Sequence, residues 1–179
     1  DALGNYDEAV AQVERLKELA ESLDEAAELD CKHAELEVRA GDYASAEQKF
    51  EGLCGESECD GRAVRASALF GRAEAQYLQG EHAEAEQLVD RAIDSLDVDS
   101  ADEGTGDIDL DRTLVQARNL EGRLALFRGD QEGARPKFES NFALAKRRGF
   151  SRETARAELN LAVVEIGRAS CRERVYCEV

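Results

Sequence analysis

GDYASA, residues 41–46, is one of four copies of a short pattern along this chain. GNYDEA occupies residues 4–9, GEHAEA occupies 80–85 and GDQEGA occupies 129–134. Each copy has glycine first, an Asp, Glu or Asn second and alanine sixth. Glycine can end a helix in the left-handed conformation without steric cost, and the polar residue after it can cap the next helix. The pattern therefore predicts four tight turns, each leading into a helix.

Apolar residues on both sides of these turns follow a helical spacing. The four glycines recur at intervals of about 40 to 50 residues, a period typical of helical solenoids. Leu120, Leu124 and Phe127, which precede Gly129, have the i, i+4, i+7 spacing of one helical face. Heavy use of Ala, Glu, Leu and Arg also favours helix throughout. We predict helices at about 6–22, 24–40, 43–53, 61–79, 82–96, 111–128, 131–148 and 152–165.

Pro136 is the single proline of the chain, and it falls inside one of the predicted helices. Proline lacks a backbone donor and clashes with the preceding helical turn. We expect this helix either to begin after Pro136 or to kink there.

The complete pattern resembles the tetratricopeptide repeat, a unit in which a first helix, called helix A, is joined by a short turn to a second helix, called helix B. The resemblance covers residues 1 to about 165, although the helix A tryptophan and the proline after helix B are missing. It implies an all-α, right-handed α-solenoid of about three and a half stacked repeats. The residues that match the family pattern are Ala34, Ala73 and Gly122 in helix A, Gly4, Gly41, Gly80 and Gly129 at the turns, Tyr6, Tyr43, His82 and Gln131 over the joint, and Ala9, Ala46, Ala85, Ala134, Phe50, Val89 and Phe138 in helix B.

The same resemblance implies a function, because helix A side chains of this family line a concave groove that binds peptides or partner helices. Asn119 and Arg123 in one repeat, and Arg156 and Asn160 in the next, are exposed polar residues that we expect to contact the partner. Arginine is the stronger anchor for a carboxylate. Alternatively, these four residues are solvated or pair within their own helices. We predict an interaction scaffold that binds a peptide or a partner helix.

Two other functions stay open. The long period resembles the repeat arrays of large bacterial signalling proteins, which implies a regulatory or sensor segment of a kinase, ATPase or transcription regulator whose catalytic domain lies elsewhere. The second open function is the binding of a small ligand in the same groove. We expect no enzymatic activity and no cofactor, because no Ser or Cys is part of a recognisable motif with a His and an acid. His33 and His82, the two histidines, fit packing positions.

Charge restricts the class of partner. The chain has 40 acidic against 23 basic residues and a net charge of −17. Nucleic acid and anionic membranes repel such a surface, so we expect neither as a partner. A protein or peptide, and above all a basic one, fits better. We find no apolar run of about 18 residues and no signal peptide, and therefore expect a cytoplasmic protein.

Cys54 and Cys59 flank GESE between two predicted helices. Free thiols are expected in the cytoplasm, whereas export to the periplasm would permit a disulfide between them. A structural zinc site needs four ligands, and the second pair is missing, so we predict no metal-binding residue. We expect Cys31 to pack inside a helix pair.

The stretch from about 97 to 111 contains seven acids and no base. It lengthens the third interval between the glycines, which indicates an insertion. Calcium binding would require an order of acidic ligands that this stretch does not follow. We interpret it as a solvated acidic loop.

Both ends of the chain differ from a complete repeat array. The first repeat lacks helix A and the last lacks helix B, so we expect an incomplete piece with self-association through its uncapped ends. IGRASCRERV, residues 166–175, resembles one translated reading frame of a common sequencing adapter. We interpret 166–179 as an artefactual tail and exclude it from the function; a genuine irregular C-terminus is the alternative.

Overall fold

The computed structural model describes the backbone of residues 2–54, 62–96 and 104–177, and the side chains of 6–54, 62–96 and 104–167. Within these ranges the chain forms eight α-helices and no β-strand, which confirms the all-α prediction. The helices are α1 (Ala2–Glu18), α2 (Leu23–Ala40), α3 (Tyr43–Cys54), α4 (Arg62–Gln79), α5 (His82–Ser95), α6 (Ile108–Phe127), α7 (Gln131–Arg148) and α8 (Ser151–Cys177).

The chain divides into two compact units, Asp1–Leu96 and Asp97–Val179. In the first unit each helix from α1 to α5 packs against the next, and α2 also contacts α4. In the second unit α7 packs against both α6 and α8, and α6 and α8 touch each other lightly. None of the helices within the described ranges has the length and apolar character needed to cross a bilayer.

Three of the four glycine turns have nearly the same backbone structure. Gly41, Gly80 and Gly129 follow α2, α4 and α6 with φ of 90°, 90° and 81°. After each glycine, the next backbone N–H donates to the carbonyl five residues earlier, at 2.9 Å in all three turns. The left-handed glycine and this hydrogen bond together satisfy carbonyls that would otherwise lack partners at the helix end.

The acidic residue after the glycine caps the next helix in two of these turns. Asp42 accepts a hydrogen bond from the Ser45 backbone N–H at 3.2 Å, and Asp130 accepts one from the Gly133 N–H at 2.8 Å. Glu81 makes no side-chain cap bond to α5. Aspartate is among the preferred N-cap residues, whereas glutamate is not.

The alanine of the pattern lies where the two helices meet. Ala46, Ala85 and Ala134 are completely buried, and each backbone N–H donates to the carbonyl of the residue after the turn glycine. That hydrogen bond is the first of the new helix, so the alanine lies on its first turn. Ala9 in α1 is half-buried.

Two phenylalanines pack directly over glycines of other helices. A Cβ built on Gly122 of α6 would lie 2.6 to 3.0 Å from the Phe138 ring, and one on Gly71 of α4 would meet the Phe50 ring still more closely. Both rings are fully buried. Glycine therefore permits a close approach of helices that any larger residue would prevent.

Several predictions from the sequence are wrong in detail. Gly4 lies inside α1, so the turn expected there does not form. One of the two alternatives for Pro136, a helix that begins after it, is wrong, because α7 runs from Gln131 to Arg148, the range predicted for it. Helix α8 continues to Cys177 instead of ending near 165, because Arg, Glu and Ala in this stretch favour helix even without an apolar stripe.

A fourth turn of the same kind was not predicted. Gly149 follows α7 with φ of 74°, and the Phe150 N–H donates to the Ala145 carbonyl at 2.9 Å. The sequence there, GFSRET, has Thr154 in place of the alanine and therefore does not match the pattern. This turn could have been predicted from Gly149, which directly follows the basic residues 146–148, because helices often end in basic residues followed by a glycine.

Replacing Ala85 with leucine should destabilise the first unit by about 1–3 kcal/mol, because the added atoms have no room between α4 and α5. Chemical denaturation measures the effect. Ala83→Leu, at an exposed position of the same helix, is the matched control. Equal stability of the two variants would contradict the assignment of Ala85 to the helix joint.

Gly122→Ala should also lower stability, by about 1–3 kcal/mol, because the new methyl group overlaps the Phe138 ring. Gly52→Ala is the control, since a Cβ on this helical glycine meets nothing within 4 Å. There the higher helix propensity of alanine should raise stability by up to about 1 kcal/mol. A thermal melt of both variants tests the opposite signs.

Candidate functional site

The four predicted contact residues lie on two helices of the second unit. Asn119 and Arg123 belong to α6, and Arg156 and Asn160 belong to α8. Arg156 is exposed, and Arg123 and Asn160 are half-buried. Asn119 is only 4% exposed, so its assignment as an exposed residue was wrong. Helix α6 buries residues on several faces, which leaves a narrower polar stripe than its sequence indicates.

Helices α6 and α8 run in the same direction. Near their starts, Arg112 pairs with Glu153 at 3.7 Å. Near their ends, Leu126 of α6 and Val164 of α8 belong to one apolar cluster. Asn119 lies seven residues after Arg112, and Asn160 lies seven residues after Glu153, about two helical turns in each case. The structure therefore brings the two asparagines to the same level.

The two arginines are not brought together. Arg123 follows Asn119 by one helical turn, whereas Arg156 precedes Asn160 by one turn. They consequently lie on opposite sides of the asparagine level, about 12 Å apart along the helix direction. A partner segment that contacts both must run lengthwise along α6 and α8.

Asp111 forms a buried ion pair that the sequence did not reveal. Its side chain is 0% exposed and pairs with the Arg148 guanidinium of α7. Thr105 adds two hydrogen bonds, from its backbone N–H at 2.5 Å and from its hydroxyl at 2.9 Å. Gly104 lies so close that a Cβ there would overlap the carboxylate. Asp111 therefore ties the residues before α6 to the α6–α7 pair.

This pair corrects the interpretation of 97–111 as a wholly solvated acidic loop. Asp111 lies on the stripe of α6 that faces α7, one turn before the buried Val115. Asp107 has a structural role too, since it caps α6 by accepting from the Asp109 and Leu110 N–H groups at 2.8 and 3.2 Å. Residues 97–103 lie outside the described part of the chain. No cluster of three or more His, Cys, Asp or Glu that could hold a metal ion occurs among the described residues.

Both histidines lie in helix contacts of the first unit. His33 approaches the Glu37 carboxylate at 3.4 Å, and Glu37 also binds Lys49 and accepts a 2.9 Å hydrogen bond from the Ser45 hydroxyl. His82 packs against Tyr77, with the ring centroids 5.1 Å apart. The Glu37–Lys49 pair joins α2 to α3, whereas the contact of His33 with Glu37 lies within α2. The contact between Tyr77 and His82 joins α4 to α5.

The described cysteines are Cys31 and Cys54, and both are free thiols. Cys31 is buried in an apolar cluster with Ala34 and Phe50, and this burial raises its pKa to about 12. Partial burial also raises the pKa of Cys54, against the opposing charge of Arg72. Cys59, the partner of Cys54 in the alternative of a disulfide, lies outside the described residues.

Helix α8 carries two further surface features, a cleft and an apolar stripe, and neither identifies a ligand or a partner. A cleft of about 310 Å³ at the α7–α8 turn is lined by side chains that include Lys146 and Glu158. Both charged side chains are exposed, and none of the polar residues that line the cleft is buried. Leu159, Val163 and Ile166 form an exposed apolar stripe at helical spacing. Nothing in the structure shows what covers this stripe.

No family model matches the chain, and comparison with the curated proteins and with the solved structures finds no similar protein.

Asp111→Ala should destabilise the second unit by about 3–5 kcal/mol, because it leaves the Arg148 charge partly buried without its partner. Glu139→Ala is the control, since Glu139 and Arg135 form an exposed pair within α7. Exposed pairs of this kind contribute little. Urea unfolding of both variants measures the difference, and a similar midpoint for the two would contradict a structural role of Asp111.

Proposed function

We propose that this chain is a tetratricopeptide-like, right-handed helical repeat segment that binds a protein or peptide along α6 and α8. The support is the turn itself. In three places the same glycine, the same hydrogen bond and the same buried alanine join consecutive helices. Repeated supersecondary units that stack on their neighbours are the basis of helical solenoids, which present extended binding surfaces.

The binding surface in this proposal is the face shared by α6 and α8. These helices are parallel, touch each other lightly and rest on α7. Asn119 and Asn160 lie at its centre, with Arg123 toward one end and Arg156 toward the other. An extended segment lying along the two helices meets Arg156, Asn160 and Arg123 in succession, with the buried Asn119 beneath it.

Charge selects among the segments that could lie there. The net charge of −17 repels a strongly acidic peptide at long range. Arg156 nevertheless offers an exposed guanidinium group for an isolated carboxylate or for backbone carbonyls. A neutral or moderately basic segment that carries single acceptor groups fits both conditions.

Selection from a random peptide library displayed on phage tests the proposal directly. We expect a family of related peptides whose binding weakens at least tenfold in Arg156→Glu, because a hydrogen bond to a charged group contributes about 1.5–3 kcal/mol. Fluorescence anisotropy with labelled peptides measures the affinity.

Arg147→Glu provides the matched control, because it makes the same change in net charge at an exposed position on α7. Its affinity should stay near that of the wild type. Equal loss in both variants would show that binding depends only on overall charge. Failure to enrich any related peptides would contradict the proposed function itself.

A further inference from the structure

Cys31 of α2 and Cys54 of α3 belong to one apolar cluster of the first unit. Cys31 is 3% exposed, whereas Cys54, the last residue of α3, packs against the cluster and is half-buried. Both thiols are free. The function proposed above uses α6 and α8 and gives these two thiols no role. Two thiols in one cluster can be joined by oxidation if the register and the spacing of their helices permit it.

The register between α2 and α3 places the two cysteines at one level. Glu37 of α2 pairs with Lys49 and also accepts a hydrogen bond from Ser45, so its level along this antiparallel pair lies between those two residues of α3. Cys31 is six residues before Glu37, and Cys54 is seven residues after the midpoint of the other two. At about 1.5 Å per residue, the levels of the two cysteines agree within about 1.5 Å.

Both cysteines also lie on the faces of their helices that meet in the cluster. Cys54 follows Phe50 by one turn and Ala46 by two, and Cys31 precedes Ala34 by one turn. Phe50, Ala46 and Ala34 are completely buried in that cluster. The axes of packed helices are about 8–10 Å apart, which leaves about 3.5–5.5 Å between Cα atoms that face each other and somewhat more between their neighbours. A disulfide, whose Cα atoms are about 4.4–6.8 Å apart, fits this spacing.

The two thiols are close enough to interact, and they differ in reactivity. Burial raises the pKa of Cys31 to about 12, the Glu35 carboxylate adds to the increase, and Cys54 adds to it as well. Partial burial raises the pKa of Cys54 too, but Arg72 and two further arginines oppose that increase. Since the thiolate is the nucleophile, the half-buried Cys54 is the thiol that an oxidant reaches first, and Cys31 is the thiol that reacts second.

We propose that Cys31 and Cys54 are an oxidisable pair, which a low-molecular-weight disulfide such as oxidised glutathione converts into a disulfide bond between α2 and α3. This inference goes beyond the proposed function and does not depend on it. The turn at Gly41 already joins the start of α3 to the end of α2. The new bond joins the last residue of α3 to the middle of α2, so that oxidation fastens α3 at both of its ends.

The bond forms in two thiol–disulfide exchange steps. Cys54 loses its proton to water, and its thiolate attacks one sulfur of the small disulfide, whose S–S bond breaks and releases the first small thiolate. Cys31 then loses its proton to water, and its thiolate attacks the Cys54 sulfur of the mixed disulfide. This step forms the bond between Cys31 and Cys54 and releases the second small thiolate. The protein gives up two electrons and two protons, and the small disulfide is reduced to two thiols.

Peptide mapping by mass spectrometry tests the inference on the folded, full-length chain. The protein is incubated with oxidised glutathione at mildly alkaline pH, which raises the thiolate fraction, and the remaining free thiols are then blocked. Trypsin separates Cys31 from Cys54 at Lys32, and cleavage after Glu56 separates Cys54 from Cys59. We expect a cross-linked peptide pair that contains Cys31 and Cys54. The pair should persist in Cys59→Ala and be lost in Cys54→Ala.

Two double variants test the order of the steps. In Cys31→Ala with Cys59→Ala, the second step is blocked, so Cys54 should accumulate as the mixed disulfide with glutathione. In Cys54→Ala with Cys59→Ala, the buried Cys31 should stay reduced. A glutathione adduct on Cys31 in this second variant, or none on Cys54 in the first, would contradict the order proposed.

Thermal melting gives a second measurement. Oxidation should raise the melting temperature of the first unit by about 10 °C, because the cross-link restricts the unfolded chain. Cys31→Ala is the matched control. It should melt at the same temperature with and without the oxidant, and this comparison holds even if the substitution itself lowers stability.

Three outcomes would overturn the inference. A main product that joins Cys54 to Cys59 would make these two residues the oxidisable pair. A bond between Cys31 and Cys54 that forms only in urea would show that the folded helices hold the thiols apart. An oxidised protein that melts at a lower temperature would show that the native spacing does not accommodate the bond. None of these results bears on whether the peptide library yields binders, so the two proposals fail separately.

Discussion

The left-handed glycine turn is the constraint on which the rest of this structure depends. Its glycine reverses the chain without a Cβ penalty, and the hydrogen bond that follows it satisfies a carbonyl at the helix end. The next helix then begins at a set distance, which places alanine at the crossing. Since the turn sets where each helix starts, it also sets which side chains face each other farther along.

The α6–α7 interface shows this consequence along its whole length. At one end Asp111 and Arg148 form a buried pair, and in the middle Gly122 receives the Phe138 ring. Between these two levels lies Asn141, which is 1% exposed. The same register therefore buries an ion-paired carboxylate and a neutral amide within one interface.

Much of the fold could be predicted from the sequence, because local chemistry determines it. The spacing from turn glycine to alanine and the apolar periodicity located α2 to α7 with ends close to those observed. The misses occurred where the local signal was missing or misleading. Gly149 ends a helix in a sequence that lacks the alanine, and α8 continues through a stretch without an apolar stripe. For the candidate site, Asn119, Arg123, Arg156 and Asn160 were named from the sequence, but the pair of Asp111 and Arg148 was not, because nothing nearby in the sequence distinguishes Asp111 from the solvated acids before it.

The sequence by itself determined the helices, their turns and the small residues at the crossings, since each of these depends on contacts between residues a few positions apart. Only the tertiary structure decided which polar residues are buried together. Asp111 lost its solvent because α7 brings Arg148 opposite it, and Asn119 lost its exposure because α6 is covered on several faces. The level shared by Asn119 and Asn160 depends on the register between α6 and α8. That register follows from side-chain packing across helices, which no local pattern encodes.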